Sequence, residues 1–190
     1  MRFDSGRAAW LALAFLLLPL AAHADEALWN LLKAGGHVIL IRHATTDPGT
    51  GDPPGFRLRD CSTQRNLSEA GRIEARRIGE AFARRSIPVG EVRSSRWCRC
   101  LDTARIAFGS GEPWAMLDSL YANPARGPDQ TAAVQAFVLD YGRGTNAILV
   151  THAGNIAALI GATLAPGEMV ILKADGNLMR VVGRLKADSG

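Results

Sequence analysis

His37-Val-Ile-Leu-Ile-Arg-His43 and Asn146-Ala-Ile-Leu-Val-Thr-His152 share one design, a run of β-branched residues and leucine closed by a histidine. Runs of this length and makeup read as buried strands. The segments between and after them read differently. Residues 26–34 form a short helix stopped by Gly35-Gly36, and Ser68 caps a helix that continues through 72–85 until Pro88. Ile73, Ala75, Ile78, Ala81 and Phe82 give that helix an apolar stripe. Glu91–Ser94 reads as a strand, Trp97–Phe108 and Thr131–Tyr141 as helices, and Asn155–Leu164 as another helix. Glu168–Lys173 and Leu178–Leu185 then form a hairpin around Asp175-Gly176-Asn177. This alternation predicts a three-layer α/β domain with a mostly parallel sheet, helices on both faces, and an antiparallel edge near the C-terminus. In such sheets ligands bind just beyond the carboxyl ends of the strands. Two of the chain's four histidines are therefore expected at one ligand site.

Residues 1–24 stand apart from this pattern. Arg2 and Arg7 precede the apolar stretch Ala8–Leu20, and Ala22-His23-Ala24 has the small-x-small form of a secretory cleavage site. The stretch is short of the roughly 20 apolar residues a membrane span needs. A signal peptide over 1–24, a domain over 25–190, no stable membrane span after cleavage, and a periplasmic or secreted location are the expectations. The three cysteines, Cys61, Cys98 and Cys100, would then meet an oxidising compartment. One disulfide, from Cys61 to either Cys98 or Cys100, would leave one thiol free. No fourth ligand accompanies them, so a zinc site is not expected.

The formal net charge is +4, and arginine outnumbers lysine. Arginine binds phosphate and carboxylate through paired hydrogen bonds, which suits an anionic substrate. No dense basic block or aromatic-interleaved stripe points to nucleic acid. Arg72, Arg76, Arg77, Arg84 and Arg85 read as a solvated helix face.

A histidine at a strand end can attack phosphorus with its unprotonated nitrogen, forming a phosphohistidine that water later hydrolyses. The phosphoryl group needs fixed positive charge around its oxygens. Arg42, Arg99 and a protonated His152 could supply that charge without a metal or other cofactor. Backbone amides near Gly154 would add anion-binding donors.

With these residues in place, the sequence resembles the histidine phosphatase superfamily, the phosphoglycerate-mutase-like fold. Four elements carry the likeness: Arg42-His43-Ala44-Thr45-Thr46, Asn66-Leu67-Ser68-Glu69-Ala70-Gly71, Ser94 through Ala104, and the late His152. The resemblance implies that His43 is the phosphorylated nucleophile. Arg42, Arg99 and His152 would complete the phosphate pocket and Thr46 would lend a hydroxyl, while Arg65 sits near the expected pocket rim, as a substrate contact or a solvated side chain. Ser94, Ser95 and Thr103 could equally satisfy local backbone. Two departures stand out. Ala44 replaces the family's usual glycine, and the family's acid is displaced. Leu117 is followed by Asp118 and then Ser119, so serine occupies the expected place and Asp118 falls one residue short. Asp118 is the candidate acid, ahead of Asp129; a turn-capping role for it is the competing reading.

The expected function is a metal-independent phosphomonoester hydrolase acting on a small phosphorylated substrate. Export resembles the subgroup thought to act on phosphorylated sugars of the lipopolysaccharide core. The alternative is a non-catalytic module that binds a phosphoryl ligand on the same fold.

Overall fold

The computed structural model describes residues 20–142 and 144–187. Most of the expected signal segment lies outside the described residues. Helices alternate with short strands: α1 Leu20–Leu32, β1 Val38–Arg42, α2 Glu69–Arg84, β2 Val89–Ser94, α3 Cys98–Phe108, β3 Glu112–Pro113, α4 Gly127–Asp140, β4 Asn146–Thr151, α5 Ala153–Ile160, β5 Met169–Asp175 and β6 Leu178–Leu185. The sheet order is β3-β2-β4-β1-β5-β6. The β3-β2, β2-β4 and β4-β1 pairs are parallel. β5 runs antiparallel to β1, and β6 pairs antiparallel with β5. The expected three-layer architecture and antiparallel edge are both present.

Alternation along the buried strands divides the core between the two faces of the sheet. Ile39, Ile41, Ile148, Val150 and Ile171 pack with Trp29 and Leu32 of α1, Ile78 and Phe82 of α2, and Ala104 of α3. Val38, Leu40, Leu149, Val170 and Leu172 pack on the opposite side with Val134 and Val138 of α4 and Ile156 of α5. Burying each such side chain contributes about 1.5–3 kcal/mol. The two apolar faces explain why the strands read as continuous hydrophobic runs.

Ser68 caps α2 as expected, its hydroxyl accepting from the Gly71 amide at 3.1 Å. The buried face of that helix comprises Gly71, Ala75, Ile78, Ala81 and Phe82. Ile73 departs from the expected stripe: it is 39% exposed, because at about 100° per residue it projects away from the 71-75-78-82 face. Gly71 lies against the Thr45 carbonyl, where a β-carbon would come within 1.8 Å. This close approach seats the start of α2 directly behind the loop following β1. The arginine face of α2 carries ion pairs, from Arg72 to Asp102, Arg76 to Glu69 and Arg84 to Glu80. Arg85 also lies over the Trp29 ring at 4.6 Å.

Candidate active site

Sheet register brings the two histidines together. Arg42 on β1 is aligned with Thr151 on β4, so both chains leave the sheet at one level and the next residues are His43 and His152. The His43 amide donates to the Thr151 carbonyl at 3.0 Å, and the two ring centroids are 5.4 Å apart. His43, His152, Arg42, Arg65 and Arg99 all line one cleft of about 400 Å³. Its remaining wall includes Thr50, Gly51, Ser119, Leu120, Tyr121 and the start of α5 at Ala153 and Gly154.

Each ionic group has an identifiable support. His43 Nδ1 lies 2.9 Å from the Ala44 carbonyl, an acceptor that places the proton on Nδ1 and leaves Nε2 with its lone pair. Burial is the largest influence on this ring, and with the charges of Arg99, Arg42 and Arg65 it pushes the imidazole down to about 3. Burial followed by Arg99 and His43 holds His152 well below its ordinary value too. Both rings are therefore neutral near pH 7 in the free site. Arg42 donates through Nη1 to the Leu164 carbonyl at 2.7 Å. The Nε donors of Arg42 and Arg99 are buried without a hydrogen-bond partner among the described residues.

The residue that organises Arg99 is Asp52, which the sequence did not single out. Arg99 donates to it at 2.8 Å, and their side chains are only 4% and 6% exposed. Asp52 also accepts from the Arg65 amide at 3.0 Å and from Trp97 Nε1 at 2.8 Å. Burial pushes its carboxyl up, but these hydrogen bonds and the Arg99 charge leave it below the usual range. A disulfide between Cys61 and Cys98 joins the same loop to the first turn of α3. Cys100 remains free and buried, and burial pushes its thiol up to about 12. It is consequently a thiol, not a reactive thiolate.

Three candidate residues lie off the cleft wall. Thr46 is absent from the cleft wall; its hydroxyl accepts from Arg65 Nη1 at 2.6 Å. It steadies Arg65, which also donates through Nε to the Gly51 carbonyl at 2.9 Å. Asp118 does not line the cleft either. It is 5% exposed and accepts from the Arg96 amide at 3.0 Å and from Arg96 Nε at 2.8 Å. Held by a guanidinium and turned inward, it is not placed as a direct acid to substrate. Ser119, one residue on, takes the position beside the cleft. Asp129 lies in the first turn of α4 and is not a cleft residue either. No carboxylate lines the cleft among the described residues.

Ala44 is accommodated where the sequence left the outcome open: its methyl is buried with Leu67 and Ala75. Its amide donates to Thr103 Oγ1 at 3.1 Å, while that hydroxyl donates to the Arg99 carbonyl at 2.7 Å. Thr103 thus links the loop after β1 to α3 as well as satisfying its own helix. Among the described residues no cluster of histidine, cysteine or carboxylate side chains could hold a metal ion. No helix among them is long and apolar enough to cross a membrane.

Residues 38–121 match the histidine phosphatase superfamily (branch 1). The region contains His43, Arg42, Arg65, Arg99 and the cleft wall through Tyr121. Among solved structures, the chain is similar to the protein histidine phosphatase SixA complexed with tungstate, at 14% identity and TM-score 0.56, over 80% of this chain and 97% of that one. It is also similar to an alpha-ribazole phosphatase from Shigella flexneri, at 15% identity and TM-score 0.57, over 80% and 96% of the two chains. A phosphoserine phosphatase variant from Entamoeba histolytica, complexed with phosphoserine, matches at 12% identity and TM-score 0.59, over 80% and 98%. At these identities the likeness concerns the fold. No curated protein matches the chain.

Proposed function

We propose that the chain is a phosphatase of the histidine phosphatase superfamily, whose family model matches residues 38–121, and that it hydrolyses phosphomonoesters through a phosphohistidine at His43. The observation that carries this reading is a neutral, Nδ1-anchored His43 that lines one cleft together with Arg42, Arg65 and Arg99. His43 Nε2 attacks phosphorus, and the P–O bond to the leaving group breaks. Water then attacks the phosphohistidine, and the electron pair of the P–N bond returns to His43. Arg42, Arg65 and Arg99 neutralise the charge spread over the phosphoryl oxygens. The chemistry as proposed uses these cations and no metal.

The finer part of the proposal is a periplasmic location and a phosphorylated envelope sugar as substrate. The Cys61–Cys98 bond suits an oxidising compartment. Beyond the arginines, the cleft wall of Thr50, Ser119, Leu120 and Tyr121 is uncharged, which suits a sugar better than an anionic leaving group.

The test is a chelator-treated assay with p-nitrophenyl phosphate, comparing the wild type with His43→Ala. The expected result is turnover in the wild type and a loss on the order of a thousandfold or more in the variant, with label from a radiolabelled phosphomonoester retained on His43 in wild type quenched in alkaline denaturant, where the P–N bond persists. Equal turnover in the two proteins would overturn the nucleophile assignment. Release of phosphate from purified lipopolysaccharide core oligosaccharide tests the sugar assignment separately.

A further inference from the structure

The inward placement of Asp118 raises the question of how the leaving group receives its proton. On one side of His152 the structure holds a connected set of polar groups. Ser95 Oγ is 2.8 Å from His152 Nε2 and 3.5 Å from Asp118 Oδ1, and it accepts from the Trp97 amide at 3.3 Å. Asp118 is in turn fixed by Arg96. Ser95 is fully buried, so neither its hydroxyl nor the imidazole edge facing it can turn to bulk water. His152 itself lines the cleft. Cys100 Sγ lies 4.0 Å from its Nδ1, which has no nitrogen or oxygen partner among the described residues.

We propose that Ser95 is a positioning residue that enables His152 to act as the leaving-group acid, by receiving the Nε2–H of the imidazolium and turning its own proton to Asp118. This rests on the phosphohistidine reading and supplies the step that reading leaves open. A hydroxyl both donates and accepts. In the free site Nε2–H of neutral His152 donates to Ser95 Oγ, whose own proton faces the Asp118 carboxylate, and Nδ1 carries the lone pair. His152 is protonated at Nδ1, and the Nε2–H bond to Ser95 stays in place. Nδ1–H is then directed to the leaving oxygen.

The protons balance across the cycle. Substrate enters as the phosphate monoanion and passes its proton to His152. His43 Nε2 forms the P–N bond as the P–O bond breaks, and the departing oxygen takes the proton from Nδ1. In the second half, the attacking water gives a proton to Nδ1, the P–N bond breaks, and phosphate leaves with that proton. The charged and titratable groups around His152 act in opposite directions. Arg42, Arg65, Arg99 and His43 disfavour the imidazolium, whereas Asp118, through Ser95, and the bound phosphoryl group favour it. Cys100 stays neutral beside the ring.

Two measurements on the full chain test this. The first compares p-nitrophenyl phosphate with phenyl phosphate, which has a similar shape but a much poorer leaving group. Ser95→Ala is expected to lower turnover of phenyl phosphate about a hundredfold, with a far smaller change for p-nitrophenyl phosphate. Ser95→Thr, which keeps the hydroxyl, restores most of the loss. Equal loss on both substrates, or no loss on either, overturns the proposal. The second follows the His152 ring nitrogens by ¹⁵N NMR in the wild type with orthovanadate, and so depends on no variant folding correctly. Protonation of both nitrogens on binding supports the proposal; a neutral ring in the complex overturns it. A wild type that turns over p-nitrophenyl phosphate but fails these tests would defeat the Ser95 role alone. A wild type with no turnover and no label on His43 would defeat the phosphohistidine reading beneath it.

Discussion

The two sides of the cleft are held by different means. His43 and His152 stand at the ends of adjacent parallel strands, and their spacing follows from the alignment of Arg42 with Thr151. Backbone hydrogen bonds and two apolar cores enforce that alignment. Arg65 and Arg99 come from the loop after β1 and from the first turn of α3. No sheet joins these, and their meeting depends on Asp52, Trp97 and the Cys61–Cys98 bond. His43 is therefore placed by cooperative secondary structure, and much of the positive charge by a few side chains. The second arrangement is the easier one to break by single substitutions.

Asp52→Ala gives the largest expected effect on that difference. It leaves the Arg99 guanidinium buried without its ion-pair partner, at a cost of about 3–5 kcal/mol. Thermal unfolding should show the loss, and KM for p-nitrophenyl phosphate should rise as the Arg65–Arg99 side loosens. If stability falls while KM holds, the charged side of the cleft is fixed by something besides Asp52. Replacing Cys61 and Cys98 with serine comes next. The bond spans 37 residues, and its loss should cost about 2–4 kcal/mol in denaturant melts. Protease nicking should then increase within the loop following β1 and leave the β1 and β4 strand ends protected. Uniform protection would contradict the contrast between the two sides.

The smallest effect, taken per pH unit, concerns the strand-end side. Burial lowers His43 from 6.5 to about 3 in the folded protein. Between those values the unfolded chain binds a proton that the folded chain refuses. Stability should therefore rise with pH from about 3 to 6.5 and fall as pH drops through that window. One such group gives a slope of at most about 1.4 kcal/mol per pH unit, and His152 acts in the same direction. His43→Ala should flatten the slope in urea titrations at successive pH values. An unchanged slope would mean that His43 is not held neutral by its surroundings.

Much of this architecture is legible in the chain. The helix beginning after Ser68, the β5–β6 hairpin and the two strand-end histidines all follow from local patterns. Those patterns depend on periodicity, capping and turn chemistry between near neighbours. Asp52 carries no such signal. It lies between Gly51 and Pro53 in an irregular loop, and its partner Arg99 is 47 residues away. Asp118 misleads for the opposite reason: it falls close to the position expected of an acid, yet Arg96 draws its carboxylate inward. Ile73 fits an apolar composition but lies off the buried face of its helix.

By itself, the sequence determined the α/β layering, the strand ends at which His43 and His152 occur, and the cysteines available for pairing. Hydrophobic periodicity and turn residues act over a few positions, so these properties are written locally. Only the tertiary structure decided that Cys61 pairs with Cys98, that Thr46 braces Arg65, and that Asp118 faces Ser95 and Arg96 instead of the cleft. Each of those outcomes depends on the direction of a side chain once distant segments have packed, and spacing along the chain does not encode that direction.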